Sequence, residues 1–576
     1  MNYSPVATLI LISLFFSCNV ATTFSSQDNI HTMFQLPSSV SKSTPHHQGG
    51  GFASGSIDLG GLVVTHVTSF KKIWSMNEGG SGTTFYDPVS IPRGFSSLGS
   101  YAHPNNIPLF GNFLVAKDVS NNPVKPSLKS PTDYVLKWSS HSLNRKKKDG
   151  EAYVWLPIAP YGYKAIGYVI TREFNKPSLD KVSCVHVDFT DDHDHIPMKQ
   201  PNIIPNDDQM TVLFENKNVI DMNGLQVHSS MGGFKIKNER LGKLKANDDL
   251  ENMPNMTQIQ ECINKYSPII YFHPDEEYLP SSVDWFFDSG ALLYRSQGEV
   301  SYPSAIEKNG ANLPQFGPDD ETYWLDLPVD DSSKDRVKIG NLQKATSYAH
   351  VKPVGGGLFT DITIWVFHPF NGPSTAKVLS FTIPLGKVGE HVGDWEHITL
   401  RISNINGELN SVYFARHSWG EWIGASGLEF DENNRIVAYS ALHSHGLYAR
   451  SGDVRYGWVG AKVAGMLDKL APSDKVMDTS ACTVVVAAEY LGGVVVEPPW
   501  LNYTRRWGPH INYNVEDALG SVVKMLPWYQ RIVIGQIIKR LPKELFSEDG
   551  PTGPKAKRSW NRDEELYLVQ LRPEAI

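Results

Sequence analysis

Ionisable side chains crowd into one short stretch of the sequence, GEHVGDWEHITLRI, which runs from Gly389 to Ile402. The stretch holds three acids and two histidines and ends in the pattern of an apolar β-strand. Strand alternation puts Glu396 on the same face as Ile398 and Ile402. A carboxylate on an apolar face must take up a proton, pair with a base or bind a cation, because an isolated buried charge is costly.

Other residues that could bind a cation lie close to the ends of predicted strands. His391 and Asp394 come just before the strand of Glu396, in an expected turn. The stretch RIVAYSALHSHGLYAR ends with His443 and His445, which are two residues apart and are therefore expected on one face of a strand. The sequence thus brings imidazole and carboxylate groups to neighbouring strand ends.

These donors predict a divalent cation site, to which WVFHPFNG adds His368 and Asn371 at a third strand end. Oxygen ligands with a minority of imidazole suit Ca²⁺ or Mg²⁺, with Mn²⁺ as an alternative, whereas three converging histidines would favour Zn²⁺. In the alternative hypothesis, the acids pair with arginines (Arg401, Arg416 or Arg450) and the histidines bond buried backbone groups. The predicted metal ligands are His391, Asp394, Glu396, His445 and Asn371.

Length and composition describe a large globular protein. The chain has 576 residues, which predicts two large domains, and a hydrophobic fraction of 41%, which is enough to build full cores. Its net charge of −8 gives no general attraction to nucleic acid or to an anionic membrane, so any lipid contact must be local. The four cysteines contain no C-x-x-C pair, which argues against a zinc ribbon or a disulfide scaffold.

The N-terminal residues resemble a secretory signal. An apolar run within residues 1–22 has the length of a signal-peptide core and is too short to span a bilayer. Asn-x-Ser/Thr sequons at Asn255 and Asn502 agree with secretion. The expected location is the secretory pathway, extracellular or vacuolar, or, without a signal peptide, the cytoplasm or the periphery of endomembranes. The rest of the sequence predicts no transmembrane segment.

The chain is predicted to be mainly β (α+β). Residues 23–50 indicate a disordered linker, and short apolar runs separated by turn residues predict an all-β domain over 51–240. A polar linker over 241–255 precedes a C-terminal β-sandwich with peripheral helices over 256–576. The first of these helices is expected in NMTQIQECINKY, with Asn255 as its N-cap.

The N-terminal domain contains an internal repeat. Residues 85–101 and 154–169 share an aromatic residue followed by a proline, a glycine-containing turn and a final aliphatic-glycine pair. This shared order predicts a duplicated β-repeat. A weaker third copy is suggested at 323–340.

The sequence also resembles known families. From about Gly51 onward it resembles the plant family of vacuolar protein sorting-associated protein sixty-two, through motifs that include YVWLPIAPYGYKAIGYVIT, IIYFHPDEEYLPSSVDWFF and DGPTGPKAKRSW. That family name implies trafficking without stating a chemistry. The unit WLPIAPYGYKAIG is similar to repeats in the adaptor-binding region of bridge-like lipid-transfer proteins, which implies a protein partner for the N-terminal repeats.

A more distant resemblance concerns the candidate site. HVGDWE resembles the G-H-R-H-D-W-E heptad of the necrosis- and ethylene-inducing-like cytolysins, and SHGLY resembles a later stretch of that family. In that family the heptad and a preceding acid hold a divalent cation in a β-sandwich that docks onto sphingolipid head groups. Asn371 stands here in place of the preceding acid, and Gly393 in place of the second histidine. The matching residues, to which the resemblance assigns the cation, are His391, Asp394, Glu396 and His445.

Three functional hypotheses follow. The first is a non-enzymatic protein that binds a lipid head group or a glycan through the cation, with a link to vacuolar trafficking. The second is an enzyme that uses the same cation, with His443 or His397 as base. The third is a trafficking adaptor in which the N-terminal repeats bind protein and the cation is structural.

Overall fold

The computed structural model describes two long parts of the chain and several short segments. Among these residues, no helix is long and apolar enough to cross a membrane. The predicted signal peptide and most of the predicted linker over 23–50 lie outside the described residues. The described residues are 34–36, 51–78, 81–105, 108–111, 113–142, 149–192, 210–212, 220–226, 235–236, 242–244, 250–297, 300–378, 381–417, 419–459, 464–512, 528, 531, 547–557 and 559–562.

Three units with related strand order follow β1 (Ile57–Asp58) in the N-terminal part of the described chain. In each unit the first strand pairs with the last, and three strands between them form a separate sheet. The first unit contains β2 (Leu62–Val67), β3 (Ser69–Glu78), β4 (Ser81–Val89), β5 (Ser96–Ser97), β6 (Tyr101–Pro104) and β7 (Phe113–Asp118). The second contains β8 (Leu128–Lys129), β9 (Asp133–Ser139), β10 (Tyr153–Ile158), β11 (Tyr163–Lys164), β12 (Val169–Thr171) and β13 (Cys184–His186). The third contains β14 (Thr190–Asp192), β15 (Met210–Val212), β16 (Ile220–Gln226), β17 (Lys235–Ile236) and β18 (Gly242–Leu244).

The predicted duplication is confirmed by this topology. The sheet of β3, β4 and β6 in the first unit corresponds to that of β9, β10 and β12 in the second, and β5 pairs with β7 as β11 pairs with β13. The equivalent glycines, Gly99 and Gly167, touch each other: a Cβ atom on Gly99 would lie 3.0 Å from the Gly167 Cα. The third copy suggested at 323–340 is wrong. Its strand, Tyr323–Asp326, belongs to another sheet. The actual third unit lacks the aromatic residue followed by a proline on which the predicted repeat is based.

The C-terminal part is a β-sandwich with smaller sheets around it. A six-stranded sheet with the order β29-β28-β27-β24-β23-β35 faces a four-stranded sheet with the order β31-β30-β19-β34. The strands in the described residues of this part are β19 (Ile269–Phe272), β20 (Leu292–Gln297), β21 (Val300–Ala305), β22 (Tyr323–Asp326), β23 (Ser347–Val354), β24 (Phe359–Asn371), β25 (Thr375–Val378), β26 (Phe381–Pro384), β27 (His391–Ser403), β28 (Leu409–Arg416), β29 (Trp419–Gly424), β30 (Val437–Ser440), β31 (Leu447–Tyr448), β32 (Gly452–Val459), β33 (Ala464–Leu470), β34 (Val476–Asp478), β35 (Thr483–Ala487), β36 (His510–Asn512) and β37 (Ser547–Asp549).

Short helices surround the sandwich, as the sequence predicts. The first, α1 (Met256–Tyr266), begins at the predicted N-cap: the Asn255 side chain accepts a hydrogen bond from the Gln258 backbone, and the Gln258 side chain bonds the Asn255 backbone in return. Its apolar face packs into the core through Ile259 and Ile263. The other described α-helices are α2 (Val283–Asp288), α3 (Asp331–Ile339), α4 (Thr479–Cys482) and α5 (Ser559–Arg562).

Each face of the six-stranded sheet has its own hydrophobic core. Ile398, Leu400 and Ile402 of β27 lie in the core between the two sheets, which we call the inner core. Trp395 lies in the core on the opposite face, the outer core, together with residues of α2 and with Trp507 of the C-terminal segment. The predicted alternation along this strand is therefore confirmed.

The first N-terminal unit packs against the C-terminal part. Leu62 and Val64 of β2 share a hydrophobic cluster with Phe359, at the start of β24, and with Ile405, in the turn after β27. The domain boundary stays a prediction, although β18 lies within the stretch 241–255 that the sequence predicts as a linker. The two parts of the chain share buried surface at this cluster.

Gly393 interrupts the alternation of β27 near its start. Val392 and Trp395 both pack in the outer core although they are three residues apart, which is incompatible with regular alternation. The backbone of Gly393 has a φ of +69°. A Cβ atom there would lie 2.7 Å from the Trp507 carbonyl oxygen, so both the conformation and the space require glycine.

We expect Gly393→Ala to destabilise the protein by roughly 3 kcal/mol, because the left-handed backbone and the clash add their costs. Gly355→Ala is a matched control, since Gly355 has a φ of +59° but its added Cβ would meet the nearest atom at 3.6 Å, an ordinary contact. The control should lose only about 1 kcal/mol. Urea unfolding measures both losses, and equal losses would show that Trp507 moves aside without cost.

Candidate functional site

The predicted site residues meet where β24 and β27 lie side by side. The antiparallel register places His368 opposite Asp394 and Asn371 opposite His391. His391 and Asp394 are thus part of β27, and the expectation that they lie in a turn before the strand is wrong. The left-handed Gly393 between them supplies the local change of direction that was expected from a turn.

His445 approaches this strand pair from the turn between β30 and β31. It is fully buried, and its Nδ1 lies 2.9 Å from the Asp394 Oδ2 while its Nε2 lies 2.9 Å from the Tyr278 carbonyl oxygen. Because both partners are acceptors, both ring nitrogens carry a proton, and His445 and Asp394 form a buried ion pair. His443 and His445 have φ values of +69° and +54°, so the expectation that they share one face of a strand is wrong.

His368 is the imidazole nearest to this ion pair. Its ring stacks on the His445 ring with a centroid distance of 3.8 Å and an interplanar angle of 5°. The side chain is 2% exposed, and neither ring nitrogen has a hydrogen-bond partner in the described part of the chain. One ligand atom each from His368, Asp394 and His445 lies within 4.8 Å of the other two. The structure therefore brings these three residues together.

Burial and neighbouring charges act in opposite directions on these groups. Burial raises the pKa of Asp394, but the hydrogen bond from His445 and the nearby His391 outweigh it and hold the pKa below its usual value. Burial lowers the pKa of His445, but the bond to Asp394 and the charge of Glu276 raise it above its usual value. Burial lowers the pKa of His368, so this imidazole is neutral. A neutral imidazole can donate its lone pair to a metal.

Glu396 lies on the inner face of β27, as the sequence predicts, and is 7% exposed. Burial, followed by the charge of Asp394, raises its pKa well above the usual value. The ammonium group of Lys557 acts in the opposite direction, and it also donates a 2.9 Å hydrogen bond to the Trp395 carbonyl oxygen. Glu396 is therefore held as an acid that favours a proton or a cation.

The two remaining predicted ligands lie at the outer end of the strand pair. The Asn371 side chain donates hydrogen bonds to the carbonyl oxygens of Gly389, at 2.8 Å, and Gly372, at 3.1 Å. The Nδ1 of His391 lies 2.7 Å from the Gly393 carbonyl oxygen, and His391 is half-buried. Of the five predicted ligands, His391 is the one with the largest exposed fraction, so it marks the mouth of the site.

The arginines considered as alternative partners bond other acids. His445, rather than an arginine, bonds Asp394. The pairs are Arg401 with Asp361 at 2.8 Å, Arg416 with Glu421 at 2.5 Å and Arg450 with Glu429 at 3.7 Å.

Glu276 lies in the acidic stretch HPDEEY, whose sequence favours a solvated or capping role, yet its side chain is 2% exposed. Its carboxylate accepts hydrogen bonds from the backbone of Tyr278 at 2.8 Å and of His443 at 2.6 Å, and it lies 4.0 Å from the Nε2 of His445. Ser444 of the same turn donates to Asp468 at 3.0 Å, which is also buried. The sequence offers one signal for Glu276 as a site residue: this acid follows shortly after the apolar stretch IIYF, which forms strand β19.

His397, one of the two bases considered for an enzyme, lies away from this cluster. It is on the opposite face of β27 from Glu396, where its ring lies 4.4 Å from the Trp365 ring and 5.7 Å from the Tyr413 ring. His443 stays near the cluster, with its Nδ1 3.0 Å from the Pro373 carbonyl oxygen. The arrangement can hold a cation, and of the two bases only His443 lies near it.

We expect Glu396→Gln to stabilise the protein at about pH 8 in the presence of a chelator, by roughly 1 kcal/mol, because the variant removes a buried carboxyl that folding makes harder to ionise. A carboxyl whose pKa is raised by folding contributes most stability at acidic pH and loses it as the pH rises from its unfolded value towards its folded value. The gain should therefore shrink at about pH 5. Urea unfolding at both pH values measures it, with the exposed Glu432→Gln as control. A loss of stability at both pH values would show that ionised Glu396 has an essential partner.

Comparisons with known proteins agree with the sequence motifs. The family model of Vacuolar protein sorting-associated protein 62 matches residues 30–564. The Saccharomyces cerevisiae protein TDA6 is 25% identical over 192 residues, which cover 30% of this chain and 39% of TDA6. Vacuolar protein sorting-associated protein 62 of the same yeast is 23% identical over 304 residues, which cover 45% of this chain and 62% of the yeast protein. Both matches span less than two thirds of the yeast proteins.

Among solved structures, the chain is similar to Necrosis and Ethylene inducing Protein 2 from the causal agent of cocoa's Witches Broom disease. The match has 14% sequence identity and a TM-score of 0.17, and it covers 38% of this chain and 80% of that protein. The family match over residues 30–564 is far more extensive, and the chain belongs to the Vacuolar protein sorting-associated protein 62 family.

Proposed function

We propose that this protein is a non-enzymatic component of vacuolar sorting that binds a polar head group through a divalent cation at the end of β24 and β27. The ligand chemistry is a set of hydroxyl or phosphate oxygens, as carried by a membrane lipid or a glycan. The observation that carries the proposal is the meeting of His368, Asp394 and His445, each of which has a ligand atom within 4.8 Å of the other two. His368 and Asp394 offer donor atoms to a cation, and His445 becomes a ligand when a cation replaces its Nδ1 proton.

The charge of the site supports a bound cation. Four buried acids lie at this end of the sandwich, where His445 bonds Asp394, the Lys557 ammonium acts on Glu396, and the Nε2 of His417 lies 2.8 Å from the Asp468 Oδ2. A cation bound here would pair with these carboxylates and supply the local positive charge that a protein with a net charge of −8 otherwise lacks. The acids are Glu276, Asp394, Glu396 and Asp468.

The mouth of the site has groups that suit a polar ligand. Half-buried Tyr278 contacts His443, with a ring distance of 5.7 Å, and Phe370, with a ring distance of 5.0 Å. The Lys338 ammonium lies 4.3 Å from the centre of the Phe370 ring. Half-buried Tyr278 and the Lys338 ammonium can contact the apolar and the anionic parts of a head group, whereas the Phe370 ring lies in the outer core.

The two other hypotheses make different use of the same features. An enzyme would use His443 as base, since this imidazole lies beside the cluster. An adaptor would bind protein through the N-terminal units and keep the cation as a structural part, which the low exposure of Asp394 and His445 favours. The family name agrees with a role in vacuolar sorting. Such a role fits a location at endomembranes and one in the secretory pathway.

The test is co-sedimentation of the full chain with vesicles of phosphatidylcholine alone, of phosphatidylcholine with a phosphoinositide, and of phosphatidylcholine with a glycosylated sphingolipid. We expect binding to one of the two mixed vesicles, loss of binding with chelator, and a loss of at least about tenfold in Asp394→Asn. Competition by the free sugar distinguishes a glycan from a phosphate ligand. The exposed Asp453→Asn is the control, because it removes the same charge without touching the site.

Binding that survives both the chelator and Asp394→Asn would contradict the proposal and favour an adaptor. Release of a cleaved head group in the same samples would favour the enzyme.

A further inference from the structure

The imidazoles at the site bear on which metal it selects. The sequence favours Ca²⁺ or Mg²⁺ because it assigns mainly oxygen donors to the site. The structure instead brings two histidines and one aspartate within mutual ligand distance, and one of these histidines, His368, is absent from the predicted set. We propose that His368, His445 and Asp394 form a centre that selects Zn²⁺ or a similar transition metal over Ca²⁺ and Mg²⁺. This inference rests on the proposed function, since it names the cation of the same site.

The buried His368 favours a transition metal. It is 2% exposed and its two ring nitrogens have no hydrogen-bond partner among the described residues. Leaving a buried polar atom without a hydrogen-bond partner is unfavourable, so such an atom calls for an explanation. A metal ion bound to the lone pair of this neutral imidazole accounts for one of the two nitrogens, and imidazole is a preferred ligand of Zn²⁺ and a poor one for Ca²⁺.

The hydrogen bonds of His445 also favour a metal at this position. Its Nε2 already donates to the Tyr278 carbonyl oxygen at 2.9 Å, an interaction that orients a metal-binding imidazole. Its Nδ1 points to the Asp394 Oδ2 at 2.9 Å, close to the separation of two ligands on one metal. A metal that replaces the Nδ1 proton would leave the Nε2 hydrogen bond intact. The hydrogen bond that orients the His445 ring is therefore present before the metal binds.

The number of donors is the third argument. Two imidazoles and one carboxylate give three ligands, the number that catalytic and exchangeable zinc sites use with one further position. The hard ions Ca²⁺ and Mg²⁺ would need six or more oxygen ligands, which these residues do not offer together.

The test is metal binding by the full chain, without an affinity tag, after removal of metal by dialysis against a chelator. Zn²⁺, Co²⁺, Mg²⁺ and Ca²⁺ are titrated separately, and the visible absorption of Co²⁺ reports its coordination. We expect about one equivalent of Zn²⁺ or Co²⁺ and no displacement by millimolar Mg²⁺ or Ca²⁺. His368→Gln should weaken Zn²⁺ binding by more than about tenfold, a loss seen even for outer partners of metal ligands.

His368→Gln is the decisive variant, because the described His368 ring makes no hydrogen bond whose loss could unfold the protein. His103→Gln is the matched control, since this buried histidine also bonds a proline carbonyl oxygen, that of Pro104 at 2.8 Å, but lies on β6 of the first N-terminal unit, so Zn²⁺ affinity should stay within about twofold. Selective binding of Ca²⁺ or Mg²⁺, unchanged Zn²⁺ affinity in His368→Gln, or no metal bound would each overturn the inference. Zn²⁺ binding without vesicle binding would refute only the proposed function.

Discussion

The buried ion pair between His445 and Asp394 organises this end of the sandwich. Asp394 is a carboxylate beside an apolar core. His445 stabilises its ionised form, because one ring nitrogen of His445 bonds Asp394 while the other bonds the Tyr278 carbonyl oxygen. The turn that carries His445 is in turn fixed from two sides, by the Glu276 carboxylate on the His443 backbone and by Asp468 on Ser444. A single polar cluster therefore links β27, β33, the segment after β19 and the turn after β30.

Gly393 makes this cluster compatible with the apolar cores. By leaving the regular strand conformation, it lets Val392 and Trp395 both pack in the outer core while Asp394 between them bonds His445. The C-terminal segment occupies the space above it, with the Trp507 carbonyl oxygen where a side chain would lie. The replacement of the second heptad histidine by glycine is thus a structural requirement of this chain. A different histidine, His368 of the neighbouring strand, brings an imidazole to the cluster instead.

β24 connects the N-terminal units with the polar cluster. Phe359 at its start shares a hydrophobic cluster with the first N-terminal unit, and His368 near its end belongs to the polar cluster. A strand of this length spans roughly 40 Å. In the proposed function, a protein bound to the N-terminal units and a head group bound at the proposed cation site would be held by one continuous strand.

The sequence by itself determined the features that depend on local pattern. These include the mainly β fold, the duplicated unit, the N-cap at Asn255 and the inner face of Glu396, because capping and strand alternation act over a few residues. It also assigned His391, Asp394 and His445 to one predicted metal site. Tertiary structure decided which residues actually meet. The pairing of His368 with Asp394 depends on the register of two strands, and the burial of Glu276 depends on a turn 167 residues away in sequence, at His443. Such long-range contacts follow from the packing of sheets, which no local spacing encodes.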